Sequence, residues 1–255
     1  MTPRYAELDV TTNFSFLRGG SHAEELVATA KALGFSAIAV TDRNTLAGVV
    51  RAHLAAKEVG DIKFIVGARL DLHDAPSLLA YPTNRAAYGR LCRLLTLGQR
   101  RAEKGKCTLH LADVAAHAEG LIFIALPPNE WEWLRRDRST NSIPPLDGEG
   151  GSAEGRAGWG DRYRKVPPTP ASPSATRGRY GASGIATDYQ LDFAFQLRRI
   201  KQVLGPRTRL YLAASHSYRG DDHARIEALA QLAARVGLPL VATGAVLYHA
   251  SHRRP

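Results

Sequence analysis

The sequence predicts an α/β domain whose parallel sheet closes in the manner of a barrel. Short apolar runs typical of buried strands alternate with amphipathic segments typical of helices along most of the 255 residues. A hydrophobic content of 44% is enough for one large core. The number of strand–helix units favours closure into a barrel over an open sheet.

Each predicted element has its own local signal. Apolar runs bounded by turn residues predict strands at residues 6–10, 36–41, 63–72, 77–82, 120–126, 209–215 and 239–243. Helical periodicity predicts helices at about residues 21–34, 45–59, 84–98 and 221–237. Ser21 and Glu24 predict a capping box at the start of the first helix, and Asp221 or Asp222 is expected to cap the last. The strand at 77–82 is expected to be the hairpin partner of the strand before it.

Residues 139–184 break this alternation. Of these 46 residues, 15 are Pro or Gly and six are Ser, and the few aliphatic side chains cannot fill a core. The composition predicts a low-complexity disordered insertion between two parts of one barrel, residues 1–138 and 185–255. The proline-rich run at 164–177 is an alternative: it could be a ligand for a partner domain.

Charge and cysteine content restrict the setting. The formal net charge is +10, which suits a chain that works beside polyanions such as nucleic acid. Arg outnumbers Lys, a bias that favours phosphate contacts but that a GC-rich genome would also produce. Cys92 and Cys107 form no paired motif, and no apolar run approaches the roughly 20 residues of a membrane span. We therefore expect a reduced cytoplasmic protein with no membrane contact.

Several blocks together resemble a known family. They are the N-terminal block, VTDRNTLAGVVRAH at 40–53, the 28 residues at 80–107, LYLAASHSYRGDD at 210–222, and residues 240–255. These blocks resemble the polymerase and histidinol phosphatase (PHP) domain that begins bacterial C-family DNA polymerases, and the middle blocks look most like its error-prone, damage-inducible branch. The resemblance implies a PHP-type distorted (βα) barrel as a single domain.

The same resemblance implies that the metal site of the family is degenerate in this chain. Where active members begin with His-x-His, this chain has Asp9 and Thr11. The remaining positions of that site are Arg18, Asp42, Arg43, Arg69, Ala245 and Leu247. All of them except Asp42 differ from the residues of active members. Asp42 is the acidic residue of the "TDR" that replaces the family's "TDH". The resemblance therefore implies no metal and no catalytic residue in this chain.

Three of the substituting residues are arginines, which carry a permanent positive charge. Arg18, Arg43 and Arg69 could replace the metal structurally if carboxylates such as Asp9, Asp42 or Asp71 pair with them. Alternatively, the three arginines point into solvent or pair at random after loss of the metal.

A separate basic run offers contacts to a DNA backbone. Its candidates are Arg100, Arg101, Lys104 and Lys106. The alternative is a solvated loop with no ligand.

The resemblance implies the N-terminal domain of an error-prone polymerase, a nucleotidyltransferase used in translesion synthesis after DNA damage. The palm that would bind Mg²⁺ is expected to lie outside these 255 residues, so the chain alone needs no cofactor. DNA is the expected partner through the full-length enzyme, with other translesion-synthesis proteins as further candidates. Two alternatives stay open: a free-standing metal-dependent phosphoesterase or 3′–5′ exonuclease, and a noncatalytic DNA- or protein-binding module.

Overall fold

The computed structural model describes residues 4–128, 183–218 and 220–253, and for residues 183–192 only the backbone. The predicted insertion at 139–184 lies outside the described residues except for its last two, which begin a helix. The division of the chain into two barrel parts and an insertion therefore stays a prediction.

Strands and helices alternate through the described residues. The strands are β1 (Ala6–Val10), β2 (Ala37–Val40), β3 (Lys63–Val66), β4 (Ala68–Leu70), β5 (Leu78–Pro82), β6 (Leu121–Ala125), β7 (Arg209–Ser215) and β8 (Leu240–Thr243). The helices are α1 (Ala23–Ala32), α2 (Val49–Val59), α3 (Arg85–Arg101), α4 (Leu111–Ala116), α5 (Ser183–Leu204) and α6 (Asp222–Val236), followed by a 3₁₀ turn at Ser251–Arg253. Among the described residues, no helix is both long and apolar enough to cross a membrane.

The strands form two sheets that meet at both edges. One sheet has the order β1-β2-β3, all parallel, and the other has the order β4-β5-β6-β7-β8. Strand β5 is antiparallel to both of its neighbours, while β6, β7 and β8 are parallel. Single bridges at Val10↔Val246 and Arg43↔Arg69 join the sheets. This closure confirms the predicted barrel-like α/β class, with one hairpin interrupting the parallel order.

The strand predicted at 63–72 is interrupted at Gly67. A Cβ atom there would lie 2.8 Å from the Tyr81 ring and 2.9 Å from the Thr41 methyl group, so only glycine fits. The chain passes through this point from the first sheet, as β3, into the second, as β4. The break thus results from a close approach of backbone to side chains, which a local apolar pattern does not reveal.

Alternation along the strands divides the core between the inside and the outside of the barrel. In β5, Leu78 and Ala80 pack outward against the helices, whereas Leu79 and Tyr81 belong to a smaller interior cluster. The largest cluster joins the second sheet to α3, α4, α5 and α6, and another joins the first sheet to α1 and α2.

Several helix predictions need correction. The box predicted from Ser21 and Glu24 is wrong: the cap is His22, whose N–H donates to Glu25 at 2.8 Å. Ser21 is buried and its hydroxyl bonds instead to His249. Helix α2 begins at Val49 rather than near residue 45. Asp221 precedes α6 as expected, but its side chain makes no capping hydrogen bond. The sequence patterns did not predict α4 and α5.

Candidate functional site

The carboxyl ends of the strands surround a small polar cavity of about 100 Å³ at one mouth of the barrel. Residues from several strands and one helix line it, among them Asp9, Arg69, Ser215, Arg225, Thr243 and Ala245. In barrels of parallel strands this end carries the functional site, because loops from many strands converge there. Functional residues are therefore expected at this mouth of the barrel.

Two carboxylates of β1 lie at the joint between the sheets. Glu7 is buried, and its Oε1 accepts the N–H groups of Asp9 and Gly244, each at 2.9 Å. Its Oε2 accepts the hydroxyl of Tyr5 at 2.8 Å. Glu7 therefore links β1 to the residue that follows β8, beside the bridge that closes the barrel.

Asp9 faces the cavity in an environment that disfavours its charge. Burial raises the pKa of Asp9 to about 6, against the opposing effect of the Arg69 guanidinium. The Thr41 hydroxyl donates to the Asp9 carboxylate at 3.3 Å. Asp9 is thus a carboxyl group that changes protonation state near neutral pH.

Asp42 is 1% exposed and is saturated with hydrogen bonds from the loop after β1. Its carboxylate accepts the Thr12 N–H at 2.9 Å, the Thr12 hydroxyl at 2.8 Å and the Ser15 hydroxyl at 2.7 Å. Among the described residues it makes no ion pair. The carboxylate therefore holds the β1 loop in place, and of the three carboxylates offered as partners for the arginines it is not the one used.

A cluster of two arginines and one aspartate spans the other joint. Asp71 accepts from Arg43 Nε at 2.6 Å and from Arg69 Nε at 2.9 Å, and the Ser77 hydroxyl adds a bond of 2.7 Å. Burial alone would raise the pKa of Asp71, but the Arg69 charge and these hydrogen bonds lower it. Arg43 follows β2 and Arg69 belongs to β4, so Asp71 holds the two sheets together at the Arg43↔Arg69 bridge.

The remaining degenerate positions do not join this cluster. Arg18 is exposed and has no ion pair among the described residues, so the expectation that all three arginines are held by carboxylates is wrong for Arg18. Thr11 is buried, and its N–H donates to the Val246 carbonyl at 2.9 Å. Ala245 lines the mouth, whereas Leu247 is partly exposed and accepts a backbone bond from Gly20.

Sequence reasoning missed one ion pair at the mouth. Arg225 contacts Asp222 at 2.6 Å, and both side chains are almost fully buried. The Arg225 guanidinium also donates to the Ser215 carbonyl. A signal was present, because Arg225 shares the buried face of α6 with Leu229 and Leu232 at helical spacing.

The residues at the mouth do not fit the metal centre of the family. Guanidinium groups have no lone pair to offer a cation, and the side chains of Ala245 and Leu247 offer no donor atom. Within residues 4–128, 183–218 and 220–253, no group of three or more His, Cys, Asp or Glu side chains could hold a metal ion.

The predicted DNA-contacting residues follow α3 or end it. Arg101 pairs with Asp113 at 2.6 Å and Lys106 pairs with Glu103 at 2.8 Å. Arg100 and Lys104 are exposed and have no acidic partner in the described part of the chain. Their contact with DNA stays a prediction.

Comparison with known proteins shows the family to which this chain is similar. A model of the PHP domain matches residues 7–134. Over 99% of its length, the chain is 41% identical to an error-prone DNA polymerase of Caulobacter vibrioides and 42% identical to one of Rhodopseudomonas palustris. It covers 18% and 21% of these relatives, so it spans about a fifth of their length.

A solved structure from Bifidobacterium adolescentis, assigned as a metal-dependent phosphoesterase, has a similar fold. The TM-score is 0.54 at 14% sequence identity, with 99% of this chain and 90% of the other covered. At this identity the likeness supports the fold and no shared activity.

Proposed function

This chain belongs to the PHP domain family, and on that premise we propose that it is the N-terminal domain of an error-prone DNA polymerase acting in translesion synthesis. Its role there is structural rather than hydrolytic. One observation carries the assignment: identity of about 40% over nearly the whole chain to proteins named error-prone DNA polymerase. DNA and other translesion-synthesis proteins are its proposed partners, and Mg²⁺ belongs to the palm of the complete enzyme.

The two joints of the barrel support the structural role. Glu7 connects β1 to Gly244 at one joint, and Asp71 connects Arg43 to Arg69 at the other. Each carboxylate satisfies donors from both sheets beside a bridge that closes the barrel. Glu7 and Asp71 are therefore engaged in closing the domain, and Arg43 and Arg69 occupy positions where the family resemblance implies metal ligands.

The experiment uses the product of the whole gene as it is encoded in the genome. The purified product is tested by primer extension on an undamaged template and on one with an abasic site. Extension past the lesion is the expected result. A product without a polymerase region, or one that copies only the undamaged template, contradicts the proposal.

A metal-dependent phosphoesterase is the competing function, and the fold alone is compatible with it. The ion pairs argue against it, because Arg43 and Arg69, at positions where the family resemblance implies metal ligands, are cationic and are paired with Asp71. Manganese-dependent hydrolysis of a phosphate monoester by the chain, abolished by a chelator, would favour this alternative.

A further inference from the structure

We propose that a large cleft beside the barrel mouth binds single-stranded DNA, with bases stacked on phenylalanine rings and phosphates held by unpaired cations. This cleft, called here the loop cleft, has a volume of about 940 Å³. It lies between the loop after β1, the turn after β2 and the loop between α3 and α4. The inference depends on these described loops and not on the assignment to a polymerase.

Exposed aromatic rings are the first support. Phe16 is 84% exposed and Phe14 is 40% exposed, and both line the loop cleft. Neighbouring large apolar side chains exposed together on one surface mark an interaction site. An aromatic face stacks on any base, and such stacking contributes about 1–3 kcal/mol per base.

The loop that carries these rings is held in place. Ser15 donates from its hydroxyl to the buried carboxylate of Asp42, and its carbonyl accepts the N–H groups of Arg18 at 3.0 Å and Gly19 at 3.1 Å. A Cβ atom at Gly19 would lie 2.1 Å from the Thr12 carbonyl oxygen, so the loop packs closely on its own backbone. The backbone of the loop is therefore fixed before binding, so less ordering entropy of the loop is lost on binding.

Charge is the second support. The loop cleft has two arginines and two lysines against two carboxylates, Asp71 and Glu103. Asp71 pairs with Arg43, and also with Arg69 outside the cleft, and Glu103 pairs with Lys106. Arg18 and Lys104 have no acidic partner among the described residues, which leaves an excess of two positive charges. These two cations are free to bind phosphate groups.

The combination of exposed phenylalanine rings and unpaired cations favours a single strand over a duplex. In a duplex the bases are already stacked on one another, so exposed phenylalanine rings would have nothing to stack on. An acidic peptide would use the two cations but would leave the aromatic rings in water. A single strand presents both phosphates and free base faces along the same path.

The test is a fluorescence anisotropy titration of the 255-residue chain with labelled oligothymidylate of about 16 nucleotides. Between about 50 and 200 mM salt, two phosphate contacts should give a slope of about −1.4 in log K against log salt concentration. Phe16→Ala should weaken binding about 5-fold or more. Arg18→Ala and Lys104→Ala should each make the slope shallower by about 0.7.

Matched controls come from exposed residues outside the loop cleft. Phe195→Ala removes a ring that is 62% exposed on α5, and Lys57→Ala removes an exposed cation in the last turn of α2. Neither should change affinity or salt dependence. The proposal would be overturned if a duplex bound as tightly as the single strand, or if Phe16→Ala left the affinity unchanged. It would also be overturned if the controls lost as much affinity as the cleft variants. Oligouridylate distinguishes RNA from DNA: tighter binding to it would overturn the assignment to DNA.

Discussion

At the scale of single residues, the buried carboxylate of Asp42 is a clear test of how polar groups stabilise this fold. Its buried carboxylate satisfies three donors of the β1 loop, and a buried donor left without a partner costs about 1–3 kcal/mol. We expect Asp42→Ala to lower the free energy of unfolding by about 3 kcal/mol or more, measured by urea denaturation. Glu103→Ala, which removes an exposed ion pair with Lys106, should cost under about 1 kcal/mol. Equal effects of the two variants would contradict the buried role.

Asp9 makes stability depend on pH. Its folded-state pKa of about 6 lies above its ordinary value of 3.8. Its contribution to stability is therefore full below about pH 4 and is lost as the pH rises through about 6. Two pKa units correspond to about 2–3 kcal/mol.

Comparison with Asp9→Asn isolates this group from the others that titrate in the same range. From about pH 4 to about pH 7, the wild type should lose about 2–3 kcal/mol of unfolding free energy relative to Asp9→Asn. The measurement is urea unfolding of both proteins at each pH. Parallel curves across this window would show that the folded Asp9 carboxyl titrates at its ordinary pKa.

At the scale of elements, two glycines of α3 provide a test of packing within one helix. A Cβ atom at Gly98 would lie 2.6 Å from the Cys107 sulfur and 2.7 Å from the Leu109 side chain, whereas at Gly89 the nearest atom is 3.9 Å away. Gly98→Ala should therefore cost about 1–3 kcal/mol through overpacking. Gly89→Ala should stabilise the protein by up to about 1 kcal/mol, because Ala favours the helix. Thermal denaturation of both variants measures the difference, and stabilisation by Gly98→Ala would show that the following loop moves away freely.

At the scale of the whole molecule, the paired charges at the mouth predict the absence of metal-dependent chemistry. We expect the purified 255-residue chain to hold no stoichiometric zinc or manganese and to hydrolyse neither phosphate monoesters nor single-stranded DNA. The reason is that the ligand positions carry Arg43, Arg69, Ala245 and Leu247. Elemental analysis and hydrolysis assays with added manganese are the measurements. A tightly held ion, together with hydrolysis that a chelator abolishes, would contradict the prediction.

Local sequence patterns identified most elements but placed some of their ends incorrectly. The pattern at 209–215 coincides with β7, and the hairpin partner predicted at 77–82 pairs with β4 as β5. Helix α5 was missed although Phe193, Leu197 and Ile200 repeat at helical spacing on its buried face. Its first residues lie in and beside the low-complexity segment, whose composition obscures the periodic signal there.

The sequence by itself predicted the α/β class from short-range periodicity, and its resemblance to the PHP domain, carried by several blocks, pointed to the family that the comparisons then showed. Only the tertiary structure decided which charges pair. Asp42 binds hydroxyl and amide groups 27 and 30 positions away, and Asp71 joins Arg43 across 28 positions. Nothing local distinguishes Arg43, which is paired, from Arg18, which is exposed. Partner choice is set by where the closed barrel brings each side chain, and by how far burial there removes the competing water.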